Sequence, residues 1–142
     1  MLRLVKEFYI DNTIAAYAPL DYLHYSQEDR LIACANEIME YSLKYPGILT
    51  MLKEAHKEKD SDTTSAKIVE LTTEMNQKLD NVLSNILDPH SDSFEYKRMI
   101  FLSSILHPTS HFGITTFSPS IVYDKNERLK YVNYVIQTLK NH

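Results

Sequence analysis

Apolar residues recur at helical spacing along nearly the whole chain. Residues 2–17 place Leu4, Val5, Phe8, Tyr9 and Asn12 at one-, three- and four-residue steps, which predicts a helix. Pro19 and the stretch 21–26 interrupt it. Ser26 followed by Asp29 resembles a capping pattern and starts the next helix. On that helix Leu31, Ala35, Ile38 and Ser42 share a stripe, with Cys34 and Tyr41 beside it. It ends near Tyr45, because a proline pushes its predecessor out of the α region. Pro46 suits the first position of a further helix, with Ile48, Leu49 and Leu52 inward. Residues 57–62, the most hydrophilic stretch, are expected to form a mobile loop.

The strongest pattern covers residues 63–87. Ile68, Thr72, Met75, Leu79, Val82 and Ile86 step by 4, 3, 4, 3 and 4, a heptad-like seam. Val69, Leu83 and Leu87 widen it, Glu74 and Lys78 form an outward pair, and Asp88-Pro89 stops it. A second apolar helix covers 92–106, with Met99, Ile100, Leu102, Ile105 and Leu106, and Pro108 breaks or kinks it. Residues 107–123 read two ways. A kinked helix could run to Phe112 with Gly113 as its stop, while 114–117 and 120–123 have β-propensity but are too short for a sheet. Asp124 is a good N-cap for the last helix, where Leu129, Val132, Ile136 and Leu139 form one row and Tyr131 and Val135 a second. That face is too wide for a terminal helix packed on one neighbour.

The predicted fold is all-α, a bundle of about five to six antiparallel helices in one domain over 1–142, with 1–18 as a connecting helix. Composition narrows the function. The chain has 142 residues, and its two glycines, Gly47 and Gly113, cannot write a P-loop or a dinucleotide fingerprint. A net charge of -4, with scattered Lys and Arg, argues against a surface built for nucleic acid. The lone Cys34 forms no internal disulfide, no apolar run is long enough for a membrane span, and the charged N-terminus is unlike a signal peptide. A cytoplasmic protein is the expectation.

Candidate chemistry is sparse. His107 and His111 lie four apart, a zinc-like spacing, but lack a third ligand and meet Pro108. Asp88, His90 and Asp92 read as a polar turn rather than a metal triplet. Cys34 on an apolar stripe reads as a core residue rather than a nucleophile, and Glu37 and Glu40 fall toward the solvated face. No enzyme, cofactor or metal is expected. Ten tyrosines and five methionines are more telling, because Met adapts to irregular cavities and Tyr brings a polar tip.

The order of these segments resembles the C-terminal regulatory domain of TetR-family transcriptional repressors. Residues 31–52 resemble that family's helix pair joined at a proline step, 68–87 its long central helix, 96–117 its penultimate helix, and 117–141 its linker and final helix. Residues 2–17 would correspond to the helix that joins the body to a DNA-reading head. Pro108 stands where the family often has Gly. The helix-turn-helix head has no counterpart before Leu2, so the resemblance implies a truncated piece, a processed fragment or a stand-alone regulatory domain, with DNA reached only through a missing head.

The resemblance implies a small effector bound among the helices and a homodimer built from the last two long helices. Met39, Tyr41, Met51, Met75, His107 and His111 are the expected ligand-binding residues, and Met99, Leu102, Leu129, Val132 and Ile136 the expected dimer surface. A near-neutral His facing an apolar cavity, with no acidic residue on the inward stripes, favours a small apolar or weakly polar effector, neutral or weakly acidic, over a strongly cationic one. The alternatives are a helical adaptor that binds protein without a small ligand and, less favoured, a small helical enzyme or metal protein.

Overall fold

The computed structural model describes residues 2–142, apart from the side chains of residues 2–5 and 111. Among the described residues it contains eight α-helices, a 3-10 turn and no strand. The helices are α1 (Leu2–Tyr17), α2 (Gln27–Lys44), α3 (Ile48–Glu58), α4 (Thr63–Ile86), α5 (Phe94–Leu106), α6 (His111–Thr116), α7 (Pro119–Tyr123) and α8 (Lys125–Lys140), with the 3-10 turn at Ala18–Asp21. The all-α expectation holds. The number of helices exceeds it, because the segment after Pro108 folds into two short helices instead of a continuation or a strand.

Helix α2 is the hub, packing on α1, α4, α5 and α8. Its buried face carries Leu31, Cys34, Ala35 and Met39. Against this lie Leu79, Val82 and Leu83 of α4, Phe101 and Ile105 of α5, and Val132, Ile136 and Leu139 of α8. A second, smaller core joins α1, α3 and α4 through Tyr9, Met51, Ala55 and Ile68.

Local signals set several boundaries. Ser26 accepts a hydrogen bond from the Asp29 amide, and Asp124 accepts from the amides of Asn126 and Glu127, both as expected. Pro46 lies outside α3, in the turn before it, and Gly47 is the N-cap. Lys78 reaches across to Asp21 at 2.9 Å, an inter-element pair in place of the predicted contact with Glu74.

Helix faces differ more. On α1, Lys6, Tyr9, Thr13 and Ala16 are buried while Phe8 is exposed. The predicted Leu4 and Val5 lie outside the described side chains. On α3 the buried residues are Met51 and Ala55, and Leu49 is exposed. On α5 they are Phe101 and Ile105, whereas Met99 and Ile100 face outward at 57% and 52% exposure. A helix with apolar residues on both sides does not announce its inner face by periodicity. On α8 the wide apolar face is used within the chain itself, since α2, α5 and α7 all pack on it.

The expected mobile loop at 57–62 is a structural junction. Lys6 is buried, and its ammonium donates to Glu58 at 2.9 Å, Asp62 at 3.0 Å and Ser65 Oγ at 2.7 Å. Asp62 also caps α4, accepting from the Ser65 amide at 3.1 Å and the Ser65 hydroxyl at 2.6 Å. The Ser65 and Lys6 hydrogen bonds hold the Asp62 carboxyl down to about 2. Its folded pKa is thus depressed below the ordinary value of about 3.9. The stability it contributes is present above about pH 4 and is lost as pH falls toward about 2. We expect the urea midpoint of wild type to fall more steeply than that of Asp62→Asn between these pH values. Parallel curves in urea titrations at several pH values would refute the link.

Candidate functional site

A cavity of about 420 Å³ lies where α1, α2, α3, α4 and the α5–α6 junction meet. Helix α1 supplies Tyr9, Thr13, Ala16 and Tyr17 to its wall. From α2 come Ile38, Tyr41 and Ser42, and from its C-cap Tyr45. Ile48, Leu49 and Leu52 of α3 form another side, Thr72 and Asn76 of α4 a further one. Leu106, Thr109, Ser110 and Ile114 complete it. Pro46 and Leu49 are both wall residues and exposed, so the cavity reaches the surface at the α2–α3 turn.

Two features of the chain build this space. The heptad-like seam of α4 substitutes a small polar residue, Thr72, between Ile68 and Met75, so the seam does not fill the gap there. At the other end α6 packs closely on the His107–Pro108 turn that follows α5. A Cβ on Gly113 would lie 2.3 Å from the His107 carbonyl oxygen and 2.4 Å from that of Pro108, so only glycine fits. Ser110 caps α6 by accepting from the Gly113 amide, and its own hydroxyl donates to the His107 carbonyl at 2.5 Å. This turn brings Ser110 and Ile114 to the wall.

The wall is uncharged among its described residues. Burial pushes the Tyr17 phenol well above its ordinary pKa. It does the same for Tyr41, reinforced by Tyr9 and Tyr45 and opposed by hydrogen bonding from Thr13. Both are neutral phenols at physiological pH. Thr72 donates to the Ile68 carbonyl at 2.8 Å, so the Tyr9 hydroxyl, 3.0 Å from Thr72 Oγ1, must be the donor of that pair.

Of the expected ligand-binding residues, Tyr41 is in the wall. Met39 is fully buried in the main core, Met51 in the smaller core, and Met75 on the inner face of α4. His107 is exposed, with its ring 5.2 Å from Phe112 and 6.2 Å from Phe117. The side chain of His111 lies outside the described residues. The methionines fill space between helices here, while small and hydroxylated residues leave it open. Ser42 and Thr72, the polar residues on the predicted inward stripes, are the sequence signal that marks the cavity.

The expected dimer residues also divide. Met99 is exposed, Leu102 and Leu129 are half-buried, and Val132 and Ile136 are 1% and 2% exposed within the chain's own core. The last two have no surface to offer a second copy. The outward apolar residues in this region are instead Tyr96, Met99 and Ile100 of α5 and Tyr134 of α8.

Cys34 is buried in the core, and burial raises its thiol pKa, so it is held as an unreactive thiol. Asp88 accepts from the His90 amide at 2.9 Å, closing a turn. Among the described residues no group of three His, Cys, Asp or Glu is placed to hold a metal ion, and no helix is long and apolar enough to cross a membrane. Glu40, read from sequence as a solvated residue, receives the buried Arg128 at 2.9 Å. A second, open groove of about 850 Å³ runs past Tyr22, His24, Asp29 and Lys125, with mixed charge and no enclosure.

Compared with models of known protein families, with curated proteins and with solved structures, the chain matches none. Fold and cavity define an all-helical chain with a surface-reaching cavity whose described wall residues carry no charge.

Proposed function

We propose that the chain is the effector-binding and dimerisation domain of a TetR-like transcriptional regulator, acting as a binding module and not as an enzyme. The observation that carries this reading is the uncharged cavity of about 420 Å³ walled by helices α1 to α6. Its size falls in the range of roughly 300–1,000 Å³ that holds small organic ligands. Its position also fits. Tyr9, Thr13, Ala16 and Tyr17 place α1 directly against any occupant, and α1 is the helix that the resemblance sets next to a DNA-reading head. Helices α5 and α8, the pair the resemblance uses for dimerisation, carry the outward Tyr96, Met99, Ile100 and Tyr134.

Thermal-shift screening with uncharged organic compounds tests the reading. A ligand at ~100 times its Kd should add about 2.7 kcal/mol of stability. The reading fails if no compound stabilises the protein. Sedimentation equilibrium tests the second half: a homodimer at micromolar concentration that Met99→Glu dissociates is the expected result, and a monomer would contradict it.

A further inference from the structure

We propose that the cavity takes an uncharged, predominantly aromatic molecule that offers hydrogen-bonding groups to Asn76 and to the Tyr9–Thr72 pair. This rests on the ligand-binding reading above and narrows it to a ligand class.

Charge comes first. The described wall residues include no Asp, Glu, Lys, Arg or His. A charged group drawn into such a space loses its hydration and finds no counter-ion. The weakly acidic effector expected from sequence relied on an inward histidine, and His107 instead lies outside, exposed beside Phe112 and Phe117. An anion therefore has no described cationic partner in the wall.

Shape and polarity narrow the class further. A run of rings links α1 to α2: Phe8 to Tyr45 at 4.8 Å, Tyr45 to Tyr41 at 5.3 Å, and Tyr41 to Tyr9 at 6.2 Å. Tyr9, Tyr41 and Tyr45 belong to the wall, so one side of the cavity is aromatic and suits an aromatic guest. On α4, Thr72 and Asn76 are one turn apart and both reach the cavity. The Tyr9 hydroxyl spends its proton on Thr72 and keeps acceptor capacity. The Asn76 side chain makes no hydrogen bond to another described residue, so its carboxamide has both donors and an acceptor to offer.

The test uses two fluorescent probes with one skeleton, N-phenyl-1-naphthylamine and its sulfonated counterpart 8-anilinonaphthalene-1-sulfonate. We expect the neutral probe to bind the full chain saturably at one site, and the sulfonate at least about tenfold more weakly. Ser42→Phe and Ile114→Trp fill the cavity from two walls at half-buried positions. Each should weaken the neutral probe by about tenfold or more while the helical circular dichroism is unchanged. If one variant fails to fold, the other carries the comparison. Equal binding of both probes, lost together in the filled variants, overturns the uncharged class while leaving the cavity as a ligand site. Absence of binding by either probe, or binding that survives both filled variants, overturns the cavity reading itself.

Discussion

Phe101→Ala should cost about 3–5 kcal/mol, while Met99→Ala two residues earlier should leave the stability of the protomer within about 0.5 kcal/mol. Phe101 is fully buried among residues of α2, α4 and α8, whereas Met99 is 57% exposed. Removing the ring takes away its transfer free energy and leaves a cavity that helices anchored elsewhere close only in part. Domains of this kind have about 5–15 kcal/mol of stability in total, so the loss is a large fraction of it. Urea unfolding of the two variants checks the pair. A Met99→Ala loss matching that of Phe101→Ala would mean that α5 is rotated from the orientation described. Measured at several protein concentrations, the Met99 variant also reports on the proposed dimer, because a dimer's stability rises with protein concentration and a lost interface removes that dependence.

Arg128→Ala should cost about 3 kcal/mol or more. The guanidinium is 3% exposed and ties three elements together. Nε donates to Asn36 Oδ1 at 3.0 Å, Nη1 to the Val122 carbonyl at 2.9 Å, and Nη2 to Glu40 at 2.9 Å. The planar fork serves all three acceptors at once, which one ammonium cannot do in the same geometry. Arg128→Lys should therefore recover only part of the loss. Truncation leaves buried acceptors on α2 and at α7 without a donor, and that desolvation penalty is the larger part of the cost. Glu40 is 34% exposed and can turn to water, so Glu40→Gln should be much the milder change. Equal losses for Glu40→Gln and Arg128→Ala in urea unfolding would place the energy in the ion pair and contradict this account.

Periodicity and punctuation together determined most of the secondary structure. The seam of α4 is legible because Ile68, Met75, Leu79 and Val82 recur at helical steps and are all buried. Ser26 and Asp124 are legible as helix starts because the side-chain oxygen that caps a helix acts over two or three residues. Pro46 and Pro89 mark helix ends because a proline restricts the residue before it whatever the tertiary fold.

The rest depends on distant partners. Helix α5 has apolar residues all around, and only the positions of α2 and α8 select Phe101 and Ile105 as its inner face. Lys6, Glu58 and Asp62 read as solvated charges until residues 56 positions apart meet at the α3–α4 turn. Arg128 and Asn36, 92 positions apart, pair in the interior for the same reason. The cavity is the extreme case. It exists because small and polar residues from α1, α2 and α4 face one another; Ser42 and Thr72 each mark a break in one stripe, but neither stripe shows that the two breaks meet. Local sequence fixes dihedral preferences and which residues tolerate water. Which faces meet, and where they leave space, is decided by packing long-range partners against one another, and that is information only the tertiary structure holds.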